Sequence, residues 1–156
     1  MKLLFICTHN RCRSIIAEAV TNALGGAQLQ ARSAGSQPSG EVHPLSLKYL
    51  AQAGISTAGL CSQSWDDHQS WRPDVVITVC DQAAGEPCPV WFGQSVQAHW
   101  GLADPSRLAG SEQEVAAAFH HTITVLQSRI QRLLNATPAS LGQAELANLL
   151  QQLGEN

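Results

Sequence analysis

A short apolar run near the amino terminus leads directly into a polar loop and then into a helical pattern. The run is Leu3 to Ile6, the loop reads Cys-Thr-His-Asn-Arg-Cys-Arg-Ser from Cys7 to Ser14, and apolar residues at helical spacing begin at Ile15. A strand, a tight loop and a helix N-terminus in this order can turn backbone N–H groups inward, where the helix dipole helps to hold an anion. The unit therefore predicts an oxyanion site at the carboxyl end of a buried strand.

The loop combines a nucleophile with anion-binding groups. Cys7 lies six residues before Arg13, whose planar guanidinium can bind two oxygens of a tetrahedral anion. The field that attracts an oxyanion also favours the thiolate form of Cys7, and Asn10 can adopt a left-handed turn at little cost. A buried structural cysteine next to a solvated arginine is the alternative. The predicted oxyanion-binding residues are Thr8, His9, Asn10, Arg11, Cys12 and Arg13, with the Ser14 hydroxyl beside the thiol.

Length and charge narrow the class of protein. The chain has 156 residues, 44% of them hydrophobic, which is enough for one domain with a real core. Its net charge of -3, without a basic run, argues against a nucleic-acid partner. The apolar stretch after Lys2 is too short for a signal sequence, and no stretch is long enough to span a membrane. We expect a cytoplasmic protein without a membrane partner.

Strand and helix patterns alternate along the chain. Four strands are predicted, at Lys2–Cys7, Gln28–Ala34, Val75–Val79 and Val96–Trp100. Helices are predicted at Ile15–Leu24, at His43–Ala53, and from the capping box Ser111–Glu114 to Leu133. This order predicts a single-domain α/β fold with a four-stranded parallel sheet flanked by helices.

Past Pro138 the apolar pattern continues in a short amphipathic segment. Leucines from Leu141 to Leu153 recur at spacings that predict an extra C-terminal helical segment. The segment could pack on the domain or serve self-association, and core packing is the commoner use. We place a catalytic domain at residues 1–135 and a C-terminal extension at residues 136–156.

Five cysteines are scattered along the chain, at Cys7, Cys12, Cys61, Cys80 and Cys88. An odd number in a cytoplasmic chain argues against a static disulfide framework, and the spacings fit structural zinc poorly. Cys80 ends a strand and therefore shares the functional edge of the sheet with Cys7. Cys80 and Cys88 bracket a polar loop, so they could exchange disulfides with Cys7 in a relay. Alternatively, Cys80 packs as a small hydrophobe and Cys88 is incidental.

One acidic residue is placed to enter a cleft. Pro105 restricts Asp104 to an extended conformation in the loop after the fourth predicted strand. A carboxylic acid there could protonate a leaving oxygen. A turn or a helix cap is the alternative use of this Asp-Pro pair.

Together these motifs resemble a known family. The Cys7-x5-Arg13-Ser14 motif with a late Asp104–Pro105 resembles the low-molecular-weight protein tyrosine phosphatases. The two later cysteines, with the run Ala98-His99-Trp100-Gly101, resemble the arsenate reductases built on that fold, of the thioredoxin-coupled type. The resemblance spans about residues 2 to 135.

The resemblance implies a role for each site residue. Cys7 would attack arsenic(V) while Arg13 and the loop N–H groups hold the oxyanion, Ser14 would stabilise the thiolate, and Asp104 would supply the proton for departing hydroxide. Cys80 would then attack the Cys7 adduct and release arsenite.

The resemblance also implies the source of electrons. Cys88 would form a disulfide with Cys80, which thioredoxin, or glutaredoxin with glutathione, would reduce, so no tightly bound cofactor is expected. Cys12 would be structural, and Cys61 matches no functional position. Family members can hold a potassium ion, and Asn10, Glu18 and Ser33 match that site without a convincing acidic partner near Gln63. No other metal site is predicted.

Two features depart from the reductase pattern. The interval from Cys80 to Cys88 is one residue longer than the thioredoxin-coupled members have, and His9 and Arg11 replace small residues usual in the loop.

Two other functions compete with arsenate reduction. A tyrosine phosphatase would need neither Cys80 nor Cys88, and phosphatases of this fold carry tyrosines after the Asp-Pro pair, where this chain has Ser106-Arg107-Leu108. Weak hydrolysis of small aryl phosphates is still expected. An arsenical sensor would need a DNA-binding element, and no helix-turn-helix with a basic face is apparent.

Overall fold

A computed structural model describes residues 1–85, 89, 92–93 and 95–155, apart from the side chains of residues 82 and 84. Cys88, the second thiol of the predicted relay, lies outside the described residues. Within the described part of the chain, no helix is both long enough and apolar enough to cross a bilayer.

Four parallel strands form the predicted sheet. They are β1 (Lys2–Ile6), β2 (Gln30–Ala34), β3 (Val75–Thr78) and β4 (Val96–His99), in the order β2-β1-β3-β4. The central strand β1 is flanked on both sides, with Leu3 opposite Ala31 of β2 and Val75 of β3. Its residues Leu3 to Ile6 are fully buried, as expected of a parallel strand covered by helices on both faces.

In the part of the chain that the structure describes, five helices flank the sheet. They are α1 (Arg13–Gly25), α2 (Pro44–Gln52), the short α3 (Asp81–Ala84), α4 (Glu112–Asn135) and α5 (Gln143–Gly154). Within the described residues, 3-10 segments lie at Trp65–Trp71, Pro105–Arg107 and Pro138–Ser140. The predicted class, a single-domain α/β fold with a four-stranded parallel sheet, is confirmed.

Element ends differ from the sequence expectations by one or two residues. Helix α1 begins at Arg13 rather than Ile15, so Arg13 and Ser14 belong to its first turn. Predicted strand ends at Cys7 and Val79 lie one residue beyond the observed ends at Ile6 and Thr78. The periodic signal marks buried residues, and Cys7 and Val79 are buried. Their backbone N–H groups still donate to the carbonyls of Ala34 and Ile6 on the neighbouring strands.

The C-terminal helix packs on the edge strand β4. Leu146, Leu150 and Leu153 are 5% exposed or less and join the same core as the sheet. The indole N–H of Trp100 donates to the Leu150 carbonyl at 2.8 Å. Of the two uses considered for this segment, the structure has core packing, while the domain boundary after residue 135 stays a prediction.

Candidate active site

The polar loop between β1 and α1 is fixed by backbone contacts with the segment that follows β2. Asn10 has the left-handed φ of 47° that its residue type predicted. Gly35, at the end of β2, packs so closely that a Cβ there would lie 2.5 Å from the Thr8 carbonyl oxygen. Three loop carbonyls accept backbone N–H bonds of 2.9 to 3.0 Å, namely Thr8 from Gln37, His9 from Ser39 and Arg11 from His43. With these oxygens engaged away from the cavity, they do not oppose a bound anion.

Cys7 lies at the base of the loop and is 4% exposed. Its Sγ is 2.9 Å from the Ser14 hydroxyl, and that hydroxyl accepts a bond of 2.8 Å from the Asn10 amide. Because the Ser14 oxygen accepts from Asn10, its own proton is available to the sulfur. A hydroxyl that donates to sulfur stabilises the thiolate, the form that acts as nucleophile.

The same amide extends a hydrogen-bond chain behind the loop. Asn10 also donates to the Ser33 hydroxyl at 2.9 Å, and Ser33 donates to Glu18 at 2.6 Å. Burial raises the pKa of Glu18, and the Ser33 bond opposes that rise. Asn10, Glu18 and Ser33, predicted for potassium, therefore touch, but the Asn10 amide oxygen accepts from the Gln63 N–H at 2.8 Å. The potassium site stays a prediction, and no chemical step requires the ion.

Arg13 and Asp104 meet above the nucleophile. Arg13 donates to the Leu102 carbonyl at 3.0 Å, and a second guanidinium nitrogen lies 3.6 Å from Asp104 Oδ2. Asp104 Oδ1 accepts from the N–H and the hydroxyl of Ser106, at 2.9 and 2.6 Å. The capping use considered for Asp104 is therefore real, and its other oxygen remains for the cavity. The Asp104 carboxylate therefore caps the turn through one oxygen and faces Arg13 through the other.

A small cavity joins these groups. Its lining is Cys7, Thr8, His9, Arg11, Cys12, Arg13, Asp104 and Arg107. Of the six residues predicted to bind the oxyanion, all except Asn10 line it, and the Asn10 side chain is fully buried behind the loop. Three arginines and one carboxylate line the cavity, so it favours anions although the chain is acidic. A larger cavity of about 900 Å³ lies elsewhere, beside Met1 and Asp74.

Arg107 is the cavity residue that the sequence did not reveal. Its Nε lies 3.5 Å from Asp104 Oδ2, the oxygen that also faces Arg13. Asp104 caps a single helical turn, Pro105–Arg107, and Arg107 is the last residue of that turn, three positions after Asp104. The i,i+3 spacing was the available signal, but it has meaning only once that turn is known to form.

The thiol of Cys12 differs from that of Cys7. Cys12 is 2% exposed, and burial raises its pKa to about 12, with a hydrogen bond from Ser46 acting in the opposite direction. A thiol of this kind stays protonated at neutral pH and is a poor nucleophile. These properties support the structural role expected for Cys12.

Cys80 follows β3 and faces the loop. Its side chain is 2% exposed, its Sγ lies 3.8 Å from the Thr8 hydroxyl, and it accepts the Ala83 N–H at 3.4 Å. Cys61, in contrast, is exposed and contacts the Gln63 amide. The four cysteines among the described residues are free thiols. A second thiol therefore lies next to the residue that follows Cys7.

The first strand–loop–helix unit of this parallel α/β domain places a free cysteine in an arginine-lined cavity. These features define an enzyme whose cysteine attacks oxyanion substrates. The chain matches the family described as low molecular weight phosphotyrosine protein phosphatase over residues 2–147. It belongs to this family, which confirms the resemblance.

Relatives within the family include arsenate reductases. The chain is 34% identical over 128 residues to an arsenate reductase of Bacillus licheniformis, covering 82% of this chain and 91% of that one. It is 33% identical over 104 residues to a glutaredoxin arsenate reductase of Synechocystis, covering 67% and 78% of the two chains. A solved structure, the thioredoxin-dependent arsenate reductase of Corynebacterium glutamicum, is 28% identical with a TM-score of 0.68, covering 90% of this chain and 63% of that one.

Proposed function

We propose that this protein reduces arsenate to arsenite through a relay of three cysteines, Cys7, Cys80 and Cys88. The observation that carries the proposal is the buried Cys80 thiol, 3.8 Å from the Thr8 hydroxyl of the oxyanion loop. A phosphoryl-transfer enzyme has no use for a second thiol there, whereas a reductase needs one. The arsenate reductases among its relatives support the same activity.

The first step is attack on arsenic. The Cys7 thiolate forms a sulfur–arsenic bond while one arsenic–oxygen bond breaks, and Asp104 in its acid form gives the departing hydroxide a proton to make water. Arg13 and the loop hold the remaining oxygens. Arsenic is still pentavalent in this adduct.

The second step transfers two electrons. The Cys80 thiolate attacks Cys7 Sγ, the sulfur–arsenic electron pair goes to arsenic, and trivalent arsenite leaves from a Cys7–Cys80 disulfide. The Cys88 thiolate then attacks Cys80, which frees Cys7 and leaves a Cys80–Cys88 disulfide. An external dithiol must restore this disulfide.

The electron donor is a thiol protein, thioredoxin or glutaredoxin with glutathione. The names of two relatives support these two donors respectively. A reducing compartment such as the cytoplasm suits the relay, because the resting enzyme needs free thiols.

Arsenate-dependent NADPH oxidation, coupled through thioredoxin and its reductase or through glutaredoxin and glutathione, tests the relay. We expect turnover in the wild type and its loss in Cys80→Ser and Cys88→Ser. Cys61→Ser is the matched control, because Cys61 is exposed and does not line the cavity, and it should keep full turnover. Full turnover in Cys80→Ser would refute the relay.

Aryl phosphate hydrolysis is the second candidate activity. Cys7, Arg13 and Asp104 line one cavity, and the family includes phosphotyrosine phosphatases. Hydrolysis should survive in Cys80→Ser and disappear in Cys7→Ser. A wild type that hydrolyses aryl phosphate well but supports no arsenate-dependent oxidation with either donor is a phosphatase.

A further inference from the structure

A second chain of side-chain contacts spans the ends of β3 and β4 beside Cys80. The Thr78 hydroxyl lies 2.7 Å from His99 Nδ1, and His99 Nε2 lies 2.9 Å from Asp81 Oδ1. Thr78 and His99 are register partners at the last position of their strands. Asp81 is the first residue of α3 and follows Cys80 directly. One imidazole thus contacts the chain on both sides of this thiol.

The contacts fit either protonation state of the imidazole. In the neutral form, Nε2–H donates to Asp81 and Nδ1 accepts the Thr78 hydroxyl proton. In the protonated form, Nδ1–H donates to the hydroxyl oxygen, whose proton then turns to the Ala98 carbonyl, 3.5 Å away. Both arrangements keep Thr78 and Asp81 in contact with the imidazole.

Gly101 lies close to the contact between His99 and Asp81. A Cβ at this position would lie 3.1 Å from His99 Nε2 and 3.4 Å from Asp81 Oδ1. The backbone beside it is fixed as well, since Trp100 N–H donates to the Thr78 carbonyl at 2.7 Å. The run from His99 to Gly101 has no role in the reaction steps above. It lies against Asp81, the residue after Cys80.

We propose that His99 is a positioning residue that holds the Cys80 segment with its thiol toward the oxyanion loop. Fixing Thr78 and Asp81 to one ring limits the directions in which Cys80 can point, and its Sγ then stays beside Thr8. The functional part of this inference rests on the proposed relay. Release of the His99 contact moves Cys80 away from Cys7 and toward solvent.

Two rates should move in opposite directions when the contact is broken. In a Cys61→Ser, Cys88→Ser background, His99→Leu or Asp81→Ala should raise the rate of Cys80 alkylation by iodoacetamide on the order of two- to tenfold. Single-turnover arsenite release should slow by a similar factor. Hydrolysis of aryl phosphate, which uses Cys7, Arg13 and Asp104, should not change. General loss of structure would instead lower the last two activities together.

Further variants separate the contact from other effects. Asp81→Asn keeps the acceptor oxygen and should keep the wild-type alkylation rate. The double variant His99→Leu, Asp81→Ala should react no faster than His99→Leu alone, because His99→Leu already removes the contact with Asp81. His120→Gln changes an exposed histidine of α4 and is the matched control.

Unchanged Cys80 alkylation in His99→Leu, or additive effects in the double variant, would overturn the positioning role. If the wild type releases no arsenite, the proposed relay fails, and the alkylation rates still decide whether His99 holds the Cys80 segment.

Discussion

At the scale of single residues, we expect Arg107 to contribute to binding of the oxyanion but not to the chemical step. It is one of three arginines in the cavity, out of nine Lys and Arg residues in the whole chain. Arg107→Gln should raise the KM for arsenate and for aryl phosphate by about three- to tenfold, because an exposed cation contributes roughly 1 kcal/mol to holding a dianion. The value of kcat should change less, since Cys7 and Arg13 stay in place.

Steady-state kinetics against ionic strength check this expectation. The salt dependence of kcat/KM should be weaker in Arg107→Gln than in the wild type, because one attracting charge is gone. Arg72→Gln makes the same charge change beside the other cavity and should leave both parameters alone. Equal effects of the two substitutions would assign the result to net charge.

A buried histidine gives stability a defined pH dependence. Burial lowers the pKa of His68 from 6.5, and Arg32 lowers it further, while the hydrogen bond to the Ser33 carbonyl opposes the shift. Because the folded pKa lies below the unfolded one, protonation favours unfolding. The stabilising contribution is complete above pH 6.5 and is lost as pH falls through the folded pKa.

Urea denaturation of the wild type and of His68→Gln at pH 7.5 and pH 5 measures this contribution. The wild type should lose more unfolding free energy than the variant over this interval, up to about 1.4 kcal/mol for each unit by which the pKa is lowered. Glu18 titrates in both proteins, so its effect cancels in the difference. Parallel losses in the two proteins would contradict the assignment to His68.

At the scale of elements, helix α5 tests where the domain ends. Leu150 is fully buried against the sheet, and its carbonyl binds Trp100. Leu150→Ala should therefore destabilise the whole protein by about 2–4 kcal/mol in one cooperative urea transition. Leu149→Ala makes the same change at a half-buried position of the same helix and should cost clearly less. If residues 136–156 are a separable extension, the two variants will behave alike.

Elements were predictable where burial has a period, and their ends were less so. β1 and α4 could be predicted because apolar residues recur at strand and helix spacing. The starting residue of α1 depends instead on the backbone geometry of the loop. The helix therefore begins at Arg13, two residues before the expected start at Ile15. The 3-10 turn after Asp104 has no apolar period, and so Arg107 was missed.

At the scale of the whole molecule, strand order decides which side chains meet. The sequence placed Cys7 and Cys80 on one edge of the sheet, since both follow strands. Their neighbourhood arises because β3 lies directly beside β1, an adjacency that periodicity does not contain. The same holds for His99, which reaches Asp81 because β4 is next to β3. The sequence thus identifies the reactive side chains, whereas the strand order is needed to know which of them lie side by side.

Oxyanion binding should stabilise the entire fold, because the cavity is built from two segments that are far apart in the chain. Cys7 and Arg13 come from the first unit, and Asp104 and Arg107 come from beyond β4. A ligand that binds only the folded state adds about 2.7 kcal/mol when present at 100 times its Kd. Phosphate should therefore raise the Tm of the wild type in a dose-dependent way.

Arg13→Ala should abolish this rise in Tm, and Arg72→Ala should retain it, although both variants lose one positive charge. Arg13 donates to the Leu102 carbonyl and faces Asp104, so it ties the two halves of the cavity together with or without an anion. Differential scanning fluorimetry at constant ionic strength, with chloride replacing phosphate in the reference, separates site binding from a general salt effect. A rise that persists in Arg13→Ala would mean that phosphate stabilises the protein somewhere other than the Cys7 loop.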